Sequence, residues 1–189
     1  MPNKGASDEF ESAHVMQRWL WLAVVVIVLD QATKFWAVAA LYEGMPVTFF
    51  TGLDFTLSYN PGAAFSFLAD AGGWQRWFFT VLALGVSVFI IGWVRKLQSY
   101  EKGLAVALAL ILGGALGNVV DRIYLGEVVD FIDVYYLSDS CVPFFGQVIT
   151  ISGGSCHWPA FNIADSAIFL GAVLMVFDSF RHQKNKSDI

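Results

Sequence analysis

The feature that most constrains the fold of this chain is a set of four apolar segments, at about 19–40, 77–94, 104–120 and 161–180. A helix needs roughly 20 mostly apolar residues to cross the hydrocarbon core of a membrane. The second and third segments contain no charged residue, and the whole chain is 57% hydrophobic and 14% charged. Soluble domains average about a quarter charged residues. The sequence therefore predicts an all-α membrane protein, with one domain built on a four-transmembrane-helix bundle.

Lysine and arginine indicate the orientation of the four helices, because short cytoplasmic loops are enriched in these residues. The two long connections, at about 41–76 and 121–160, contain only Arg76 and Arg122. Apart from Lys34 within the first segment, the other basic residues lie near the termini or in the short link after the second segment. We therefore expect both termini in the cytoplasm and the long connections on the outer face. The chain would then divide into a polar cytoplasmic arm, a membrane-embedded domain and a cytoplasmic tail, at residues 1–18, 19–181 and 182–189.

Asp30 and Lys34 interrupt the first apolar segment. Their four-residue spacing places them on one face of a helix, with the acidic residue in the more favourable N-terminal position. We expect an internal ion pair that neutralises two charges inside the membrane. The segment Ala37-Val38-Ala39 is similar to a signal-peptide cleavage site. The two charges, however, break the apolar core that a cleaved signal peptide needs, so an uncleaved span is favoured.

The first long connection contains a period-two pattern that predicts a β-strand. Apolar and polar residues alternate across 53–60, as expected for a half-buried strand. The segment 47–50 could pair with it, and 128–135 is similarly rich in β-branched and aromatic residues. We therefore expect a small extracytoplasmic β-sheet, together with a short interfacial helix over 62–68.

Two aspartates, Asp130 and Asp165, lie in otherwise apolar stretches at the predicted outer ends of spans. An ionised carboxylate near hydrocarbon is costly unless a partner or a function requires it. If the two carboxyls approach closely, repulsion raises the pKa of one of them and the pair shares a single proton. One carboxylate can then take a proton from water while the other protonates a carbonyl oxygen, as in aspartic proteases.

The spacing alone leaves other interpretations open. Asp165 could cap its own helix, Asp130 could be a solvated strand residue, and Asp133 competes with Asp130 as the partner of Asp165. Gly113 and Gly117 form a small-residue face that allows another helix to approach closely.

Four polar side chains near the predicted outer level have both a functional and a structural interpretation. Asn118 and Arg122 share a helix face, and could orient a carboxylate or bind a substrate carbonyl, or could simply end a packing face. Asn60 and Asn162 could hydrogen-bond a substrate backbone, or could satisfy a turn and a helix start.

The connection before the fourth span contains Cys141 and Cys156, and a disulfide between them is permitted on the outer side of a bacterial membrane. Two free thiols in a flexible insertion are the alternative. The three histidines are scattered and no C-x-x-C spacing occurs, so the sequence indicates no metal and no cofactor. Nucleic-acid binding is not expected, because the net charge is -5 and no basic stretch contains interleaved aromatics.

Five motifs taken together resemble those of lipoprotein signal peptidase, or signal peptidase II, a family of bacterial membrane aspartic proteases. They are Asp30-Gln31-x-x-Lys34, Asn60-x-Gly62-Ala63-Ala64-Phe65, Gly113 through Asn118-x-x-Asp121-Arg122, Val128-Val129-Asp130-Phe131, and Phe161-Asn162-x-Ala164-Asp165-Ser166. The resemblance covers about 19–181 and implies a protein of the bacterial inner membrane, with a small outer sheet and an outer helix. It implies removal of the signal peptide from diacylglyceryl-modified prolipoproteins, by cleavage just before the lipidated cysteine.

The resemblance also implies roles for individual residues. Its catalytic dyad falls on Asp130 and Asp165, with the active site at the outer, periplasmic face. Its supporting or substrate-binding residues fall on Asn60, Asn118, Arg122 and Asn162. Its structural or orienting residues fall on Asp30, Lys34 and Asp121. The implied partners are prolipoprotein substrates, membrane lipids, and cyclic peptide antibiotics that occupy the dyad.

The chain departs from the family pattern in its long polar arm and in an insertion at about 137–156, which could alter substrate access. Two rival functions are a proton-coupled carrier and a non-catalytic membrane scaffold. No internal repeat or pair of broken helices supports a carrier. A scaffold leaves Asp130 and Asp165 unexplained.

Overall fold

The structure, a computed structural model, describes residues 4–62, 73–98, 100–138, 141, 147–149 and 154–187. Within these residues, four helices are long and apolar enough to cross a membrane, with spanning parts at Arg18–Ala40, Trp74–Val94, Lys102–Tyr124 and Ile163–Phe180. The predicted four spans are confirmed. The complete helices are α1 Lys4–Ala40, α2 Trp74–Val94, α3 Lys102–Tyr124 and α4 Ile163–Ser187.

Two helices extend beyond the predicted apolar segments. α1 begins at Lys4 and α4 ends at Ser187, so both continue into the polar arm and tail. The limits at residues 18 and 181 therefore mark changes in apolar character rather than helix ends. The assignment of arm, membrane domain and tail stays a prediction.

The described chain divides into two compact units. The helical unit contains α1 up to Asp30, α2 from Thr80, α3 up to Val120, and α4. The sheet unit contains Gln31–Phe79 and Asp121–Asn162.

Glycines on α3 set the packing of the helical unit. A Cβ added to Gly113 would lie 2.7 Å from the Cβ of Val26 on α1, and one added to Gly114 would overlap the carbonyl oxygen of Ala164 on α4. The backbone of α3 therefore approaches both neighbours more closely than any side chain would allow. We call these lines of close contact between α3 and its two neighbours the glycine seam. The apolar core beside it contains Ala23, Ile90, Val94, Leu97, Ala105, Leu108 and Leu112.

The sheet unit contains five antiparallel strands in the order β1-β2-β3-β5-β4. They are β1 Val47–Phe50, β2 Leu53–Asn60, β3 Val128–Leu137, β4 Gln147–Ile149 and β5 Ser155–His157. The predicted small sheet, with strands at 47–50, 53–60 and 128–135, is confirmed. The predicted interfacial helix over 62–68 lies, apart from Gly62, outside the described residues.

The pairing of β2 with β3 positions the polar residues at one end of the sheet. Asp54 pairs with Asp133, but the register shifts between Phe55 and Ser58, and Ser58 then pairs with Asp130. On the side of β3 away from β2, Phe161 and Ile132 exchange backbone hydrogen bonds over 2.9 and 3.0 Å. β3 is thus held between β2 and the residues that immediately precede α4.

Cys141 and Cys156, the pair for which the sequence permits a disulfide, are bonded to each other, with Cα atoms 5.5 Å apart. Cys156 lies on β5 and is fully buried. Its strand pairs with β3 through Tyr136 and with β4 through Val148. The bond therefore ties Cys141 to an inner strand of the sheet.

Candidate active site

Asp130 lies on β3 and is only 3% exposed. Its two carboxylate oxygens accept hydrogen bonds from two asparagine amides: Asn60 Nδ2 donates to Oδ2 over 3.1 Å, and Asn162 Nδ2 donates to Oδ1 over 2.7 Å. The sequence predicted all three of these residues, and the strand register brings them together within the sheet unit.

Both asparagines are oriented by a second hydrogen bond. Asn60 Oδ1 accepts from the backbone N–H of Gly62 over 2.9 Å, so its amide nitrogen must face the carboxylate. Asn162 Nδ2 also donates to the carbonyl oxygen of Val129 over 3.2 Å. Because Asn162 is fully buried, its amide has few other orientations available. The carboxylate of Asp130 is therefore fixed by donors that are themselves fixed.

Asp165 is the third residue of α4 and is half-buried. Its Oδ1 accepts from Asn118 Nδ2 on α3 over 2.8 Å. The first turn of a helix favours a negative charge, because the helix dipole and the unpaired N–H groups point toward it. Asn118 can reach this turn because of the close approach at Gly114, four residues earlier on α3.

Asp121, near the end of α3, connects three segments of the sheet unit. Its Oδ1 accepts from Gln31 Nε2 over 2.8 Å, and its Oδ2 lies 2.9 Å from the ammonium of Lys34. Oδ2 also accepts from the backbone N–H of Val129 over 3.1 Å. Asp121 and Lys34 are both almost completely buried, so each provides the opposite charge that the other needs.

Asp30 is fully buried in the helical unit and accepts from the backbone N–H of Ala164 over 2.9 Å. A Cβ added to Gly117 would lie 2.7 Å from Asp30 Oδ2, so the carboxylate fits because position 117 is glycine. The predicted ion pair of Asp30 with Lys34 stays a prediction. The structure pairs Lys34 with Asp121, a partner that the helical spacing did not indicate.

Comparison with known proteins identifies the family of this chain. The family model for signal peptidase (SPase) II matches residues 22–181. The chain belongs to the signal peptidase II family. It is therefore an aspartic-type peptidase of a bacterial membrane, with the activity of a lipoprotein signal peptidase.

Individual relatives in the signal peptidase II family match most of the chain. The lipoprotein signal peptidase of Aeromonas hydrophila is 49% identical over 172 residues, which cover 89% of this chain and 92% of the relative. That of Polynucleobacter necessarius is 48% identical over 170 residues, which cover 90% and 93%. A bacterial membrane enzyme solved by the in meso method has a TM-score of 0.71 and 28% identity, and the match covers 90% of this chain and 92% of that one.

Arg122, another residue that the signal peptidase II resemblance singles out, lies at the end of α3 against an aromatic ring. Its guanidinium carbon is 5.6 Å from the centre of the Phe79 ring, a distance typical of a cation–π contact. A Cβ added to Gly62 would lie 2.8 Å from Phe79 Cδ2. Phe79 thus lies between Arg122 and the turn that follows Asn60.

Sequence reasoning missed a second polar cluster in this signal peptidase II, beside the part of β3 that pairs with β5. His157 Nδ1 lies 2.8 Å from Asp133 Oδ2, and His157 Nε2 lies 3.0 Å from Ser155 Oγ. The imidazole stacks on Tyr135, with ring centres 5.1 Å apart. A three-residue strand such as β5 is too short for a periodic pattern, so the histidine could not be assigned to a sheet from sequence.

The surroundings of Asp133 shift the pKa of its carboxyl in both directions. Burial raises its pKa above the ordinary value, the hydrogen bond and charge of His157 lower it, and the nearby carboxylate of Asp54 raises it. The net direction is upward, because burial outweighs the partial compensation by His157. Asp133, which competes with Asp130 in the sequence, is therefore already engaged by a histidine.

Proposed function

We propose that this enzyme removes the signal peptide from diacylglyceryl-modified prolipoproteins by cleaving just before the lipidated cysteine, with Asp130 and Asp165 as its catalytic dyad. The observation that carries the proposal is the set of asparagine amides on these two carboxylates: two on Asp130 and one on Asp165. Amide donors orient a carboxylate without taking away its capacity to bind a proton. Carboxylates held in this way are suited to accept and return protons.

The assignment of Asp130 rather than Asp133 to the dyad has separate support. Asp133 lies 2.8–2.9 Å from the imidazole of His157, and Asp130 has amide donors on both oxygens. Asp130 also lies on the part of β3 that pairs with Phe161, and Asp165 follows Phe161 four residues later in the chain.

The proposed reaction needs one ionised and one protonated carboxyl. The ionised carboxylate takes a proton from water, and the resulting hydroxide equivalent attacks the scissile carbonyl carbon, while the protonated carboxyl gives its proton to the carbonyl oxygen. Collapse of the tetrahedral intermediate then breaks the C–N bond, and the first carboxyl gives its proton to the departing amine. The second carboxyl, which protonated the carbonyl oxygen, takes a proton back from a hydroxyl of this gem-diol intermediate. One carboxyl is then ionised and the other protonated again, as at the start of the cycle.

The proposed topology places both termini in the cytoplasm and the dyad at the outer, periplasmic face. It is supported by the concentration of lysine and arginine near the termini and in the short link between α2 and α3. At that face the acyl chains of the substrate can stay in the lipid while its peptide bond reaches water. Cyclic peptide antibiotics that occupy the dyad would act as inhibitors at the same place.

The dyad is tested with Asp130→Asn and Asp165→Asn in purified enzyme, using a lipid-modified prolipoprotein in detergent. We expect each variant to fold and to lose turnover, because an amide can neither take nor give the proton. Matched controls are Asp133→Asn on the same strand as Asp130 and Asp178→Asn on the same helix as Asp165, both with turnover near that of the unmodified enzyme. Full turnover in either dyad variant would refute the assignment.

A further inference from the structure

The residues that directly precede the two proposed catalytic aspartates share a feature that the reaction itself does not use. The backbone N–H of Val129 donates to Asp121 Oδ2 over 3.1 Å. The backbone N–H of Ala164 donates to Asp30 Oδ1 over 2.9 Å. In both cases the acceptor is a buried aspartate on a different element of secondary structure. Each catalytic carboxylate is thus preceded by a peptide group that a second carboxylate holds.

Asp121 links the end of α3 to the beginning of β3. Its backbone carbonyl accepts from the N–H groups of Leu125 and Gly126, over 2.7 and 3.2 Å, where the helix ends. Its side chain is held by Gln31 and Lys34. A displacement of this one residue would therefore move the helix end and the strand start together.

Asp30 has the corresponding role at the beginning of α4. Ala164 is the second residue of that helix, so its N–H has no acceptor within the helix. Ala164 is itself fully buried, which prevents water from taking the place of the carboxylate. The negative charge is also favourable at a helix N-terminus. The close contact with the backbone of Gly117 leaves the carboxylate of Asp30 little freedom to shift.

The family resemblance implies an orienting role for Asp121 and Asp30, and we propose how each acts as a positioning residue: its carboxylate fixes the backbone one residue before a catalytic aspartate. The proposal rests on the function proposed above, and gives neither residue contact with the substrate. Adjacent Cα atoms are about 3.8 Å apart and joined by a planar peptide, so a displaced N–H moves the next carboxylate with little attenuation. Because a misplacement of about 1 Å can lower a rate about 100-fold, the expected effect is on kcat.

The test at Asp30 compares a variant that keeps an acceptor with one that does not. Asp30→Asn retains an amide oxygen for the Ala164 N–H, whereas Asp30→Leu has a similar volume and no acceptor. We expect Asp30→Leu to lower kcat about 100-fold per folded enzyme, with KM within about threefold, and Asp30→Asn to recover at least about tenfold of that loss. Equal kcat in these two variants would overturn the role of Asp30.

The test at Asp121 must separate the backbone hydrogen bond from the ion pair with Lys34. Two double variants, Asp121→Asn/Lys34→Met and Asp121→Leu/Lys34→Met, both remove the buried charges, but only the first keeps an acceptor for the Val129 N–H. We expect kcat to be at least about tenfold higher in the variant with asparagine, with KM unchanged. Equal kcat in the two double variants would overturn the role of Asp121.

Parallel measurements distinguish this proposal from the function on which it rests. If Asp130→Asn and Asp165→Asn keep turnover, the dyad is wrong. If they are inactive while both leucine variants keep full kcat, the dyad stands and positioning fails. Should a leucine variant not fold, hydrogen exchange at Val129 and Ala164 in the folded asparagine variants decides the matter. Because asparagine keeps an acceptor for each N–H, positioning predicts that kcat follows protection. Protection and kcat that are retained together, or lost together, support the proposal, and a loss of one without the other opposes it.

Discussion

The surroundings of Asp130 and Asp165 are built in different ways. Asp130 lies on a strand, is 3% exposed, and accepts an amide hydrogen bond on each oxygen. Asp165 lies in the first turn of a helix, is half-buried, and accepts from Asn118 on one oxygen. The first arrangement depends on strand register, and the second depends on how closely two helices approach. Different substitutions should therefore displace the two carboxylates from their positions.

This contrast follows from what each element of secondary structure can supply. A β-strand places its side chains at fixed cross-strand positions, so residues distant in sequence meet when the register is correct. A helix pair has no such register and depends on the size of the residues at the seam. In this chain Asn60 meets Asp130 through register, and Asn118 meets Asp165 through a glycine seam.

The largest effect is expected from Gly114→Ala, which should disrupt the Asp165 side. The added Cβ would overlap the carbonyl oxygen of Ala164, a backbone atom that cannot rotate away. Overpacking of this kind costs about 1–3 kcal/mol and occasionally more. We expect a lower unfolding temperature in detergent and a loss of prolipoprotein cleavage of at least about 100-fold per folded enzyme, because α4 must shift.

The matched control for this substitution is Gly85→Ala on α2. An added Cβ at Gly85 meets no atom within 4 Å, so alanine should stabilise the helix by about 0.5–1 kcal/mol without changing turnover. If Gly114→Ala turned over prolipoprotein as fast as Gly85→Ala, the close approach at the α3–α4 seam would not be what positions Asp165.

A smaller effect, on the Asp130 side, is expected from Asn162→Ala. The substitution leaves two buried acceptors, Asp130 Oδ1 and the carbonyl oxygen of Val129, without the amide that serves both. A hydrogen bond to a charged group contributes about 1.5–3 kcal/mol. We expect kcat to fall roughly 10- to 100-fold with little change in KM, since about 1.4 kcal/mol corresponds to a factor of ten.

Asn118→Ala sharpens the comparison between the two sides. Asp165 is half-buried, so water can replace part of what the Asn118 amide provides, whereas the site of Asn162 is fully buried. We expect Asn118→Ala to lower kcat by less than Asn162→Ala in the same assay. The reverse order would show that exposure does not decide how much each amide contributes.

The membrane fold could be predicted from the sequence because a bilayer demands long apolar helices, and two charge-free segments satisfy that demand directly. Alternation across 53–60 likewise predicted β2. Two cysteines in a connection predicted to lie on the outer face were enough to suggest the disulfide, which the structure contains. Each of these features depends on local composition or on a simple covalent pairing.

The contacts within the candidate site could not be predicted in the same way. Asp30 and Ala164, which are joined by a hydrogen bond, are 134 positions apart in the chain. The sequence suggested Asp30 as the partner of Lys34 and did not indicate Asp121, which pairs with Lys34 in the structure. The register shift between Phe55 and Ser58 decides what faces Asp130, and no residue pattern indicates it. Such contacts arise from the packing of whole elements, which local spacing does not specify.

The smallest effect is expected from pH, through Asp133, which lies three residues from Asp130 on the same strand. Burial, partly compensated by His157 and reinforced by Asp54, raises the pKa of Asp133 in the folded protein. A raised pKa means that the folded state binds the Asp133 proton more tightly than the unfolded state does. The resulting stability is fully present below the pKa of the unfolded state, ordinarily 3.8, and is lost as pH rises through the folded pKa.

Asp133→Asn removes this proton while keeping a side chain of the same shape. We expect the stability of the variant to lose the downward slope that Asp133 gives the unmodified enzyme as pH rises above about 4. Thermal unfolding in detergent across mildly acidic pH measures the difference between the two curves. Because Asp133 contacts His157 whereas Asp130 is oriented by Asn60 and Asn162, turnover should be nearly unchanged. Parallel curves for the two proteins would show that Asp133 does not bind its proton more tightly in the folded state.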